Sequence, residues 1–186
     1  MSPSSILVAL GTDYHRFDRL VEWVVRLAAE NEEVRWFVQH GDTDLPASLD
    51  GAPMLDMAQL GELFATARAV ITHGGPGLIL EARAMGHTPV VVPRQPELRE
   101  HVDGHQLQFT GRLADMGLIR RALSFDSFRS AVRSALEEGP QQGATDSEPA
   151  VGVKNFEALL TEMLARRSAH RPRRTPRSIR RQEPGV

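Results

Sequence analysis

The sequence predicts an α/β fold: a Rossmann-like parallel sheet with helices on both faces. Three observations carry that expectation. Short apolar runs alternate with segments of helical apolar spacing over most of the 186 residues, the pattern that builds successive βα units. The run Val90-Val91-Val92 has the continuous apolar character of a strand buried on both faces. Two runs end directly in glycine, at Leu10-Gly11 and at His73-Gly74-Gly75, where a parallel sheet holds its ligands, beyond the carboxyl ends of the strands.

The elements follow in order. Ile6–Leu10 reads as the first strand. Phe17 to about Glu30 has helical spacing at Leu20, Val21, Val24, Val25 and Leu27, with Asp18 placed to cap it. Val34–Gln39 is the second strand and Pro53–Leu55 a short third. Gln59–Ala67 reads as a helix feeding a strand over Ala69–Thr72. A second-half helix through Glu81, Ala82, Ala84 and Met85 stops at Gly86, a residue suited to the left-handed turn after a helix. After Val90–Val92 come a helix near Val102–Met116, a strand at Leu118–Ile119 and a helix over Asp126–Glu138. Residues 1–140 thus form one nucleotide-binding-type domain. Residues 141–152 read as a Gly/Pro/Gln-rich linker. Residues 153–167 read as an amphipathic helix with an apolar stripe at Val153, Phe156, Leu159, Leu160, Met163 and Leu164, and residues 168–186 as an Arg/Pro-rich tail.

Composition narrows the classes. A hydrophobic content of 41% supplies a core. The cysteine count of zero excludes disulfides and thiolate metal sites. The first five residues lack the basic-then-apolar pattern of a signal peptide, and no apolar run approaches the ~18 residues of a spanning helix. The expectation is a cytoplasmic chain, peripheral at the inner face of the cell membrane. Charge is unevenly spread: residues 166–186 hold eight arginines and one acid, whereas the remainder holds 14 bases and 23 acids. The tail fits a solvated extension, or contact with an anionic lipid surface at about 1 kcal/mol per base. It has no aromatic residue to stack on bases, which places nucleic acid last among its partners.

The most informative segment is Ile71-Thr72-His73-Gly74-Gly75-Pro76-Gly77-Leu78-Ile79-Leu80-Glu81. A strand, three glycines and a helix start together make room for a phosphate, because the backbone can approach closely and the helix offers unpaired N–H groups. Glu81 then stands one turn in, a carboxylate suited to ribose hydroxyls. The bland alternative is a tight turn whose glycines serve only packing. Gly11-Thr12 after the first strand suit a second phosphate or sugar contact, or an ordinary turn with Thr12 as a cap. His15 on the same loop has a reference pKa near 6.5 and fits either a proton shuttle or an exposed loop residue.

Together with Pro89-Val90-Val91-Val92-Pro93, Glu97, Glu100-His101 and His105-Gln106, this segment resembles the C-terminal, donor-binding domain of family 28 glycosyltransferases, over roughly residues 6–120. Within that family it resembles the PssE-like proteins of exopolysaccharide synthesis, and the catalytic subunit of the eukaryotic dolichol-linked N-acetylglucosaminyltransferase has such a domain too. The resemblance implies the C-terminal half of a GT-B enzyme. It implies diphosphate stabilisation by His73, Gly74, Gly75 and Gly77, with Gly11 and Thr12 facing the same pyrophosphate. It further implies ribose contact by Glu81, base contact by Met57, and sugar reading by Glu97, Glu100, His101 and Gln106. Arg68 departs from the pattern, which has an acid there.

The implied reaction is an inverting, metal-independent sugar transfer from a UDP-sugar to a lipid-linked or polysaccharide-precursor acceptor, with no cofactor. His101 and His105 stand four apart, yet no H-E-x-x-H arrangement accompanies them, so no metal site is expected. In the split members of the family a membrane-anchored subunit supplies the acceptor side and the general base, so a heteromeric partner is expected. The other function class that fits is a non-catalytic sugar-nucleotide-binding or regulatory subunit.

Overall fold

A computed structural model describes residues 4–141. Six parallel strands form one sheet in the order β3-β2-β1-β4-β5-β6: β1 Ser5–Ala9, β2 Arg35–Gln39, β3 Asp50–Ala52, β4 Ala69–His73, β5 Val90–Val92 and β6 Arg120–Arg121. Five helices cover it: α1 Asp18–Ala29, α2 Met57–Thr66, α3 Pro76–Ala84, α4 His105–Asp115 and α5 Phe125–Glu138.

Side chains alternate across the sheet because successive strand residues point to opposite faces. Ile6 and Val8 of β1 pack with α1 and α5 around Leu20, Val24, Phe128 and Val132. Leu7 faces the other layer, against Phe64 of α2, Val70 of β4 and Ala82 of α3. Ile79, Val91, Phe109 and Leu113 close the α3–α4 side. The central strands are buried on both faces, which explains their continuous apolar runs.

Four local expectations shift. The third strand lies at Asp50–Ala52 instead of Pro53–Leu55. Gly51 permits this pairing, since a Cβ there would stand 2.3 Å from the Val38 carbonyl oxygen. Pro53 has no N–H for a ladder, and its carbonyl instead accepts from the Gly41 amide at 3.0 Å. The last strand begins at Arg120 because Leu118 is spent ending α4, its amide donating to Leu113 across a left-handed Gly117. α4 starts at His105, later than Val102, where the Asp103 carboxylate accepts from the His105 amide. Asp18 does not cap α1: the N-cap is Phe17, whose amide donates to Thr43 Oγ1, and Asp18 pairs with Arg16.

Three other features have clear causes. α2 begins at Met57, ahead of Gln59, through a capping box in which Asp56 and Gln59 satisfy each other's amides. Gly86 takes a left-handed φ of 82° directly after α3, as a glycine there permits. Arg68, the departure from the family pattern, donates to the Leu136 and Glu137 carbonyls at 2.8 Å and so caps the end of α5. The expected helix at 153–167, most of the linker and the Arg-rich tail lie outside the described residues.

Candidate functional site

The winding of the sheet reverses between β1 and β4, and the loops that follow these two strands part to leave a crevice. An open cleft of about 480 Å³ lies there. Its floor is Gly11, Thr12, His73 and Gly75; one wall is α3 through Pro76, Gly77, Leu78 and Glu81; the opposite wall is Met54, Leu55, Met57 and Leu60, with Gln39 at the back. The shape suits a ligand with an anionic middle and a flat apolar end. Met57 is 73% exposed at the lip, unusual for a residue so apolar.

The anionic middle would meet the start of α3. Gly75 is its N-cap, no side chain caps it, and Pro76 occupies the first turn. The first-turn amides are therefore left for a ligand. A Cβ on Gly77 would have nothing within 4 Å, so this face of the helix start is open space, whereas Gly74 is packed from behind by Gln106 and Thr110.

His73 forms the keel of the loop. Its imidazole lies between two glycines: a Cβ on Gly75 would stand 2.2 Å from its Cε1, and one on Gly11 2.5 Å from its Nε2. Its Nδ1 is buried without a partner among the described residues. Burial, seconded by the charge of Arg94, pushes the His73 pKa down to about 4, so the ring is neutral at physiological pH and can serve a phosphate only as an N–H donor.

Two glutamines hold the loops around it. Gln39, at the end of β2, accepts from the Gly11 amide at 3.0 Å and donates to the Gly11 and Pro53 carbonyls at 3.1 and 2.9 Å. Gln106, on α4, accepts from the Gly74 and Arg94 amides at 3.0 and 3.1 Å.

Beneath the loops lies Arg94, 1% exposed. Its guanidinium donates to the carbonyls of His15 at 2.6 Å, Leu10 at 3.0 Å and Glu100 at 3.1 Å, and packs over the Phe17 ring at 4.6 Å. Burial lowers its pKa, offset in part by Asp13 and Glu100. Glu100 is claimed on the same side: Arg19 forks onto both its oxygens at 2.8 Å, and the Gln95 amide adds a third bond. The β1 loop reaches the β5 loop through Asp13, which binds His15 Nδ1 at 2.5 Å and lies 3.6 Å from His101 Nε2. Burial acts to raise the Asp13 carboxyl, but the His15 hydrogen bonds and the Arg94 charge outweigh it and hold the group below its usual range.

The expected site residues therefore divide. Gly11, Thr12, Met57, His73, Gly75, Gly77 and Glu81 share the cleft. Gly74 and Gln106 stand behind the loop, and Glu100 faces Arg19. His101 turns to Asp13, while Glu97 is exposed on the 3₁₀ turn Pro96–Leu98. Sequence reading missed Gln39, Met54, Leu55, Asp13 and Arg94. A polar residue closing or soon following a buried strand was the available signal for two of them, Gln39 after Val38 and Arg94 after Pro93.

A doubly wound sheet with a glycine loop and an uncapped helix start at its switch point is the architecture of a Rossmann-like domain. The chain belongs to the glycosyltransferase family 28 C-terminal domain, whose sequence model matches residues 5–162. Among solved structures, the glycotransferase of kitacinnamycin superposes with a TM-score of 0.55 at 21% identity, over 88% of this chain and 40% of that one. The calicheamicin glycosyltransferase CalG4 gives 0.52 at 20%, over 90% and 41%. The spinosyn forosaminyltransferase SpnP gives 0.55 at 16%, over 90% and 44%. The chain thus spans less than half the length of these enzymes, and the likeness establishes its fold. No curated protein matches the sequence. Among the described residues no helix is long and apolar enough to cross a membrane.

Proposed function

We propose that this chain binds the nucleotide-sugar donor of a hexosyl transfer, with a UDP-sugar in the switch-point cleft. The observation that carries the reading is the joint placement of the uncapped α3 start, the open face at Gly77 and the Glu81 carboxylate along one wall. In this reading the α3 amides and the His73 loop take the diphosphate, Glu81 takes the ribose, and Met54 and Met57 cover the base.

The chemistry is an inverting displacement. An acceptor hydroxyl oxygen attacks the anomeric carbon as the bond to the diphosphate breaks, and the leaving oxygen keeps the electron pair. Fixed amides and the helix dipole favour that developing charge, the kind of stabilisation that contributes most in such sites; no metal ion or cofactor is invoked. Glu97 and His101 would read the sugar from the β5 loop. The acceptor half lies outside this domain. We assign it, with the general base, to a membrane-anchored subunit that presents a lipid-linked or polysaccharide-precursor acceptor. The Arg-rich tail would then rest on anionic lipid at the cytoplasmic face of the membrane.

Titration calorimetry of the full chain with UDP, UDP-sugars, ADP-sugars and NAD tests this. Binding of UDP and one UDP-sugar, weakened at least about tenfold (~1.4 kcal/mol) in Glu81→Ala, is the expected result. Tighter binding of NAD or an ADP-sugar, or UDP binding indifferent to Glu81→Ala, would overturn it.

A further inference from the structure

A second groove of about 480 Å³ lies far from the cleft, where the sheet edge emerges beyond α1. Most connections in a doubly wound sheet lay a helix on one face. The β2–β3 connection, residues 40–49, carries none. The sheet layer that holds α1 and α5 therefore stays open at the start of β2 and β3. The groove walls are Val25, Ala28 and Ala29 of α1, Val34 and Trp36 at the start of β2, and Leu49. Trp36 is 7% exposed, and its indole Nε1 is buried without a partner among the described residues.

We propose that this groove seats the chain's own segment 153–164 as an amphipathic helix. The described chain ends on the same edge of the sheet as the groove. Gln141 donates its amide to the Gly86 carbonyl just before β5, and Arg68, just before β4, holds the last carbonyls of α5. All strands are parallel, so β2 and β3 start on that same edge. From β5 to β2 is three strand spacings, about 15 Å. The intervening residues 142–152 reach up to about 36 Å when extended.

The segment has the matching face. Phe156, Leu159, Leu160, Met163 and Leu164 fall on one stripe of a helix. The family match runs on to residue 162, past the end of the described chain, so this segment is part of the domain that the family defines. Charge agrees as well. Glu32 and Asp50 outnumber Arg35 on the groove wall, and the eight arginines of residues 166–186 directly follow the stripe. The groove and its occupant are independent of what the donor cleft binds.

Hydrogen–deuterium exchange on the full chain, read by mass spectrometry, tests the seating. Two variants attack it from opposite sides. Ala29→Arg places a long charged side chain at an exposed position on the groove wall; Leu160→Asp puts a charge in the stripe. The expected result is that residues 153–164 exchange at least about tenfold more slowly in the wild type than in either variant, the ratio that ~1.4 kcal/mol of seating energy gives. Peptides spanning residues 25–36 should lose protection in parallel. Rapid exchange of 153–164 in the wild type, or slow exchange that Ala29→Arg leaves untouched, would overturn the proposal. Protection that falls on dilution, with a doubled mass by light scattering, would assign the groove to a second copy and overturn it equally.

Discussion

Replacing Gly75 with alanine isolates one contact. The backbone at Gly75 is ordinary, with φ −78° and ψ 133°, so the added methyl brings no conformational strain of its own. It would, however, stand 2.2 Å from Cε1 and 2.6 Å from Nε2 of His73, where van der Waals contact needs about 3.5 Å. The ring cannot retreat, because Gly11 bounds its Nε2 side. Overpacking of this kind costs about 1–3 kcal/mol, against ~0.4–1 kcal/mol gained from a stiffer unfolded chain. A net loss of about 1–2 kcal/mol is expected in urea unfolding at pH 7.5. In a His73→Ala background the clash is gone, and Gly75→Ala should turn neutral or slightly stabilising, a coupling of about 1–3 kcal/mol. Gly11→Ala differs: at φ 79° it carries a further ~1–2 kcal/mol that removal of the ring does not relieve. Equal costs for Gly75→Ala in both backgrounds would refute the packing of the imidazole between the two glycines.

Other consequences are separable. His73 stays neutral in the folded chain down to about pH 4, whereas in the unfolded chain it takes a proton near 6.5. Between these values the unfolded state binds more protons, so the His73 contribution is intact above pH 6.5 and lost as pH falls toward 4, roughly 3 kcal/mol in all. Urea unfolding of the wild type between pH 7.5 and 4 should be steeper by about that amount than for His73→Asn. Glu100→Gln should lower stability by about 2–3 kcal/mol, since it unmakes the fork with Arg19, whereas exposed Glu97→Ala should stay within about 0.5 kcal/mol and act on donor affinity alone; thermal melts paired with calorimetry distinguish the two. Arg94→Met leaves three inward-facing carbonyls without their donor and should cost at least about 3 kcal/mol in the same melts.

What the sequence revealed follows from how local each signal is. Strands such as Val90–Val92 are written in adjacent residues, and so is a glycine loop opening a helix, where backbone freedom and a vacant N-terminus occur within five positions. β3 has no such signature. Its three residues include Asp50 and Gly51, and it is a strand only because β2 offers an edge. The supporting side chains are nonlocal in the same sense. Gln39 meets its partner Gly11 across 28 positions and Arg94 meets Leu10 across 84, so nothing beside them in the chain announces the contact. Glu100 and Gln106 looked like ligand-facing polar residues for this reason. Their partners, Arg19 and Gly74, lie 81 and 32 positions away and are set by how α1 and α4 flank the sheet.

The buried guanidinium of Arg94 has an effect at a distance from its own bonds. Three backbone carbonyls engage its two terminal nitrogens and the group is buried beneath the loops, so it is a scaffold residue, yet its charge reaches His73 on the cleft floor. Asp13 and Glu100 answer part of that charge, and what remains acts on the cleft floor from a source that lies beneath its surface and barely touches solvent. Counterions cannot crowd around such a charge, so added salt should blunt it far less than it would blunt a surface lysine. Nor does it switch off as the buffer crosses neutrality, as a protonated imidazole would. For the diphosphate proposed above, this pull would belong to the folded scaffold and vary little with the ionic conditions in which the ligand arrives.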